Sequence, residues 1–179
     1  LFVGMPKPAH QPIVSDILWD KLRSGKFGEW DVITQTFGGY GISKARNFLT
    51  YQARKFGAAK MLTLDSDVLM NEQQLARLLA HNEPVVGGMY PAKRLDKLVW
   101  VCNFIGLDIR EDGLAQALDF GGGCGLWDMA LIDAMIERWP ETAFESEDDG
   151  YRGEIMHDLW AQGVLQDDWG NTFKTGRRY

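Results

Sequence analysis

The apolar run Met61-Leu62-Thr63-Leu64 sits between two stretches of helical periodicity and leads directly into Asp65-Ser66-Asp67. Upstream, Ile42, Ala45, Leu49, Ala53 and Phe56 recur three or four residues apart, lining one face of an amphipathic helix. Downstream, Leu75, Leu78 and Leu79 mark another helix to about His81, and Asn71 can cap its start. A buried strand placed between helices in this way points to an α/β class, in which ligands gather at the carboxyl ends of the strands.

The rest of the first half keeps the alternation. Leu1 to Met5 reads as a strand ending at Pro6-Lys7-Pro8, and Ile13, Ile17, Leu18 and Leu22 have helical spacing. Asp31 to Phe37 is a strand stopped by Gly38-Gly39-Tyr40-Gly41, and Pro84 to Tyr90 is a strand that runs out at Pro91. Right-handed crossovers then bring the strand ends to one edge. The second half is less regular. Lys97 to Ile109 has β character, Asp112-Gly113 turns it back through Leu114 to Phe120, and Gly121 to Gly125 leads into a helix from about Asp128 to Trp139, ended by Pro140. Ser146 is placed to cap a helix starting at Glu147, and from Val164 onward a strand and a loop are expected. The expectation is a three-layer α/β/α sandwich with a mostly parallel central sheet. No repeat or linker breaks the sequence, so residues 1–179 read as one domain.

Composition excludes several classes. The 45% apolar and 12% aromatic fractions argue against disorder, and no stretch reaches the ~18 uninterrupted apolar residues of a membrane span. A net charge of -6 disfavours broad electrostatic attraction to nucleic acid or anionic membrane; Lys93-Arg94 and Arg177-Arg178 are the local exceptions. Cys102 and Cys124 have no metal-ligand spacing, which fits a reducing compartment. Leu1 opens inside a strand without a basic leader, so a cytoplasmic protein is expected.

In extended chain, residues two apart share a side, so Asp65 and Asp67 are expected to converge on one ligand while Ser66 faces away. Two hard oxygen ligands at a strand mouth suit Mg²⁺ or Mn²⁺ carrying a phosphorylated substrate. The plain alternative is a solvated turn after a strand.

The order of motifs carries a resemblance. Arg46-Asn47 in the second helix, Leu64 to Val68, Val85 to Tyr90, the Gly121 to Gly125 run and Ser146-Glu147-Asp148 together resemble nucleotide-sugar glycosyltransferases of the GT-A fold, of the family-2-like small bacterial and bacteriophage type. The likeness spans roughly residues 1–169. It implies a metal-dependent, inverting hexosyltransferase using a nucleoside-diphosphate donor, with a UDP-sugar expected. The acceptor is left open among a glycan, a small molecule and a modified nucleic acid. By the family pattern Asp67 binds Mn²⁺ or Mg²⁺ directly, and Asp65 contacts the ribose or a metal-bound water. Loss of either carboxylate is then expected to damage turnover far more than folding.

Asp148, with Glu147 or Asp149 as understudies, would be the base that takes the acceptor proton. Pro6, Lys7 and Arg46 would contact base, ribose or phosphate, Gly122 and Gly123 would let backbone amides approach the donor, and Trp127 and Tyr90 would contact sugar or acceptor. A third metal ligand, commonly a histidine in this family, is missing from Asp167 to Gly176, which leaves Asp167, Asp168, water or Lys174 for that duty.

Each assignment has a structural rival. Acidic residues at a helix start can simply cap it, Lys7 and Arg46 can form ordinary ion pairs, Trp100 reads as a packing residue, and His157 reads as a helical residue that packs or faces solvent. Two other functions share these features. A sugar-phosphate nucleotidyltransferase uses the same sheet edge but carries a Gly-rich basic first loop, which Met5-Pro6-Lys7-Pro8 lacks. A non-catalytic nucleotide-sugar or glycan binding module would keep the fold without needing Asp148.

Overall fold

The computed structural model describes residues 1–7, 16–38, 41–92 and 96–160, with the backbone of 163–166 and 172–175; the side chains of Lys7, Asp16 and Leu107 lie outside it. In chain order the elements are β1 (Phe2–Lys7), α1 (Asp16–Arg23), β2 (Lys26–Phe27), β3 (Trp30–Asp31), β4 (Ile33–Gly38), α2 (Ile42–Lys55), β5 (Lys60–Leu64), α3 (Glu72–His81) and β6 (Val85–Gly87). They continue with β7 (Cys102–Ile109), β8 (Ala115–Phe120), β9 (Cys124–Asp128), α4 (Met129–Arg138), β10 (Ala143–Glu145), β11 (Ile155–His157), β12 (Gly163–Gln166) and β13 (Thr172–Thr175).

The central sheet has the order β4-β1-β5-β9-β6. β1 pairs in parallel with β4 and β5, whereas β9 runs antiparallel to both β5 and β6, so only β9 opposes the common direction. All five residues of β5 are buried, as a strand covered on both faces requires. Leu62 and Leu64 pack with Leu18 and Leu22 of α1 and Leu75 and Leu78 of α3. Met61 packs with Phe48 and Leu49 of α2 and Ile132 of α4. Alternate side chains of one strand therefore feed the two cores of a three-layer α/β/α sandwich, each buried leucine contributing roughly 1.5–3 kcal/mol.

Local signals set most boundaries. α3 begins with a capping box in which Asn71 Oδ1 accepts from Gln74 N at 2.9 Å and Gln74 Oε1 accepts from Asn71 N at 2.8 Å. It ends at Asn82, whose φ of 50° is left-handed. β5 and the bounds of α2 and α3 match the sequence reading closely. α1 is described from Asp16, and the start of the expected helix at Ile13 lies outside the described residues.

Two expectations fail. The Gly121–Gly125 run was expected only to lead into a helix, yet Cys124 begins β9, a central strand in register with β5 from Lys60↔Asp128 to Leu64↔Cys124. Leu126 and Cys124 fill the α3 face, while a Cβ on Gly125 would meet Trp127 and Phe120. A five-residue strand containing glycine has little local signature, because its neighbours stabilise it. α4 follows at Met129, with Asp128 Oδ1 accepting from Ala130 N at 2.9 Å.

The second failure is the helix expected after Ser146. Residues 146–154 form instead the loop of the antiparallel β10–β11 pair. Ser146 N donates to Glu154 O at 2.9 Å and Gly153 N to Ser146 O at 3.0 Å. Gly150 and Gly153 both sit at φ +85°, a conformation that a right-handed helix does not contain. His157 accordingly lies in β11, where its Nδ1 is 3.1 Å from Thr142 Oγ1. Smaller shifts are the shortening of the expected Pro84 to Tyr90 strand to β6 and the start of β7 at Cys102 rather than Lys97.

Candidate functional site

The carboxyl end of β5 gathers side chains from several elements. Arg46, in the second turn of α2, extends its guanidinium to Asp65, with Nη2 donating to Oδ1 at 3.0 Å and to Oδ2 at 3.2 Å. This pair is nearly dry, the side chains being 13% and 9% exposed. Trp160 lies beside it, its ring 5.4 Å from Arg46 Cζ, and Trp160 Nε1 donates to Thr50 Oγ1 at 3.0 Å. Asn47 anchors the same loop, donating from Nδ2 to Asp158 Oδ1 at 2.6 Å and accepting from Trp160 N at 3.2 Å. Arg46 Nε is buried without a hydrogen-bond partner among the described residues.

The glycines explain how β9 enters this cluster. Asp65 N donates to Gly123 O at 2.8 Å, and Gly123 N donates to the Tyr90 hydroxyl at 3.2 Å. A Cβ on Gly123 would lie 2.5 Å from Asp65 Oδ2 and 2.6 Å from the Tyr90 hydroxyl, and one on Gly122 would lie 2.8 Å from Arg46 Nη1. Only a chain without side chains at these two positions can lie against the ion pair.

Asp67 is placed differently from the expectation. Extended geometry ends at Leu64, and Val68 N donates back to Asp65 O at 3.0 Å, closing a turn over Asp65-Ser66-Asp67. The alternation that would have aligned the two carboxylates therefore does not apply. Asp65 and Ser66 are buried, while Asp67 is half-buried. Asp65 has a structural duty in the buried pair with Arg46, so its loss weakens the fold, contrary to the expectation that folding would be spared.

Glu147 and Asp148 lie in the β10–β11 loop rather than in a helical first turn. Glu147 and Asp149 are exposed, and Asp148 is half-buried. Lys44 Nζ donates to Asp148 Oδ1 at 2.7 Å, and Asp148 N donates to Ser146 Oγ at 3.3 Å. Lys44 and Arg46 thus tie Asp148 and Asp65 to the same end of α2, although residues two apart on a helix leave on different sides. Pro6 is buried inside β1 at the same sheet edge, paired with Phe37, and Lys7 pairs with Gly38. Asp167 and Asp168 lie outside the described residues, and of Lys174 only the backbone, in β13, is described.

The aromatic residues split. Trp127 is held inside the sheet layer, its Nε1 donating to Thr63 Oγ1 at 3.3 Å, stacked on Phe120 at 5.6 Å and edge-on to Trp160 at 4.9 Å. Trp100, expected to pack, is instead 45% exposed beside its bridge to Pro91. Lys44, Asn47, Thr50, Asp158 and Trp160 had no sequence signal of their own beyond the Arg46-Asn47 pair. Burial pushes the Cys124 thiol up to about 11, and both cysteines are free. Burial lowers the His157 pKa, with Arg54 adding to the effect.

Among the described residues no group of three or more His, Cys, Asp and Glu side chains could hold a metal ion. Among the described residues the carboxylates of Asp65 and Asp67 stand at the strand mouth, and Asp65 already holds Arg46. So small a donor set fits a hard cation that brings most of its ligands as phosphate oxygens and water, not a fully protein-bound ion. No helix among the described residues is long and apolar enough to cross a membrane.

No protein-family model matches the chain, and no curated protein matches it. Among solved structures, protein A197 from STIV overlaps at a TM-score of 0.44 with 12% identity, covering 74% of this chain and 68% of that one. A 4-diphosphocytidyl-2C-methyl-D-erythritol synthase from Anaerococcus prevotii overlaps at a TM-score of 0.36 with 16% identity, covering 83% and 79% respectively. At these scores neither likeness carries an argument about function, and the α/β architecture stands on its own strand pairing.

Proposed function

We propose that this chain is a single-domain GT-A-type glycosyltransferase that moves a sugar from a nucleoside-diphosphate donor, a UDP-sugar, to an acceptor hydroxyl with inversion. One observation supports the reading above the others. The dry Arg46–Asp65 pair sits at the carboxyl end of β5 with the Gly122-Gly123 backbone laid against it and Asp67 two residues further on. Ligands of open α/β sheets bind at such strand ends, and buried ion pairs are costly enough that their retention there asks for a reason.

In this reading Asp67, beside Asp65, would hold Mn²⁺ or Mg²⁺ together with the donor, and that cation would supply charge stabilisation for the departing diphosphate. Arg46 fixes the Asp65 carboxylate, and the Gly122 and Gly123 backbone leaves room for close approach of the donor. Asp148 receives the proton. Its Oδ1 takes the Lys44 ammonium, so Oδ2 accepts the acceptor proton as the acceptor oxygen bonds to the anomeric carbon. The bond from that carbon to the diphosphate oxygen breaks, and its electron pair leaves with the diphosphate.

Asp67→Asn tests the reading, because it removes a ligand charge from a half-buried turn without opening a core. Mn²⁺-dependent release of UDP from UDP-sugars should fall at least about a hundredfold, and the thermal midpoint should stay within about 2 °C. Wild-type turnover in that variant refutes the assignment.

A further inference from the structure

The β7–β8 hairpin arches over α3 and β6 and leaves a cavity of about 660 Å³ beneath it, within the usual range for small-molecule sites. The arch is tied down at its tip, where Arg77 Nη2 donates to Asp112 O at 3.3 Å and Arg110 donates to Glu83 Oε1 at 2.6 Å and to Asp112 Oδ2 at 2.7 Å. It is tied at its base, where Gly121 N donates to Val101 O at 2.9 Å and Val101 N to Tyr90 O at 3.1 Å. Between these anchors the half-buried Ala115 and Ala117 of β8 present small side chains, and the cleft opens to solvent past the exposed Leu69, Phe104 and Ile109.

The lining identifies the occupant. Leu78, Val86 and Met70 form an apolar floor, and Phe104, Phe120 and Tyr90 contribute rings, which suit an aromatic body by offset stacking and sulfur contact. At the tip Arg110 is paired with both Glu83 and Asp112, and Arg77 donates to the Asp112 carbonyl, so two arginines stand beside two carboxylates and the tip has no net charge to draw an anion. Gln74 and Gln116 offer neutral hydrogen bonds. Tyr90 and Cys124 line the cavity, while the Tyr90 hydroxyl accepts from Gly123 N beside Asp65, so the cavity and the strand mouth share a wall.

We infer that this cavity binds a neutral, compact aromatic molecule and, resting on the glycosyltransferase reading, that it seats the body of the acceptor and directs its hydroxyl past Tyr90 to the strand mouth. The test uses 2-naphthol, titrated into the full chain by fluorescence, with Ala117→Phe and Ala115→Leu as cavity-filling variants. Saturable binding is expected, weakened about tenfold or more in Ala117→Phe and less in Ala115→Leu, with thermal midpoints level or raised.

No saturable binding to the wild type, equal binding in all forms, or a large midpoint drop in both variants overturns the cavity assignment. With Mn²⁺ and UDP-sugar present, 2-naphthol should accelerate UDP release, and the variants should lose the acceleration while keeping slow hydrolysis of the donor. Acceptor-independent hydrolysis without acceleration overturns the acceptor role. Binding of 2-naphthol with no UDP release under any condition refutes the glycosyltransferase reading and leaves the cavity standing.

Discussion

Replacing Arg46 by methionine keeps much of the side chain's apolar stem but leaves the Asp65 carboxylate without its counter-charge. Breaking a buried ion pair by removing one partner costs about 3–5 kcal/mol, because the other charge stays desolvated. Both side chains keep slight solvent access, 13% and 9%, so the lower end, about 3 kcal/mol, is expected for Arg46→Met. For a chain of 179 residues this corresponds to a fall in thermal midpoint of roughly 6–12 °C. Asp65→Asn keeps the shape and one acceptor oxygen, so about 1.5–3 kcal/mol, the worth of a charged hydrogen bond, is expected. The double variant should cost less than the sum, because each single change already breaks the pair. Urea unfolding followed by tryptophan fluorescence reads all three, since Trp160 lies against the guanidinium. Lys55, which pairs with Glu154 at 55% and 44% exposure, is the surface control. A loss in Arg46→Met no larger than the small loss expected for the exposed Lys55→Met would refute the claim that this pair holds the strand mouth together.

Asp148→Asn should retain donor binding and lose transfer, with a stability change under about 1 kcal/mol because its partner Lys44 is largely exposed; equal loss of binding and transfer would return Asp148 to a structural role. Leu75→Ala should cost about 2–5 kcal/mol in urea unfolding, since Leu75 is fully buried between α3 and the sheet. Cys124 is a thiol whose pKa rises from 9.0 to about 11 on folding, so the folded state resists its ionisation. Its contribution to stability is present below pH 9.0 and is lost as the pH rises from 9.0 toward about 11, which Cys124→Ala should reveal as a shallower alkaline decline in unfolding free energy.

The sequence by itself determined the elements whose burial is uniform or whose ends carry their own signals. β5 was legible because every residue in it is covered, α2 because its apolar positions follow the helical period, and α3 because Asn71 and Gln74 close a capping box. Their order placed Asp65 and Asp67 at a strand mouth before any packing was known. Only the tertiary structure decided what lies against that mouth. β9 draws its strand character from ladders on both sides and reads alone as a glycine turn, and the loop after Ser146 is closed by bonds to Glu154 and Gly153 that no local pattern announces. The same holds for the site. A side-chain period cannot show that Arg46 reaches Asp65 across the helix–sheet layer, that Trp160 seats beside the guanidinium, or that the chain leaves extended geometry in a turn directly after Leu64. Those contacts join residues distant in sequence, and the physical quantity that fixes them, exclusion of water from a charged pair, exists only once the layers have packed.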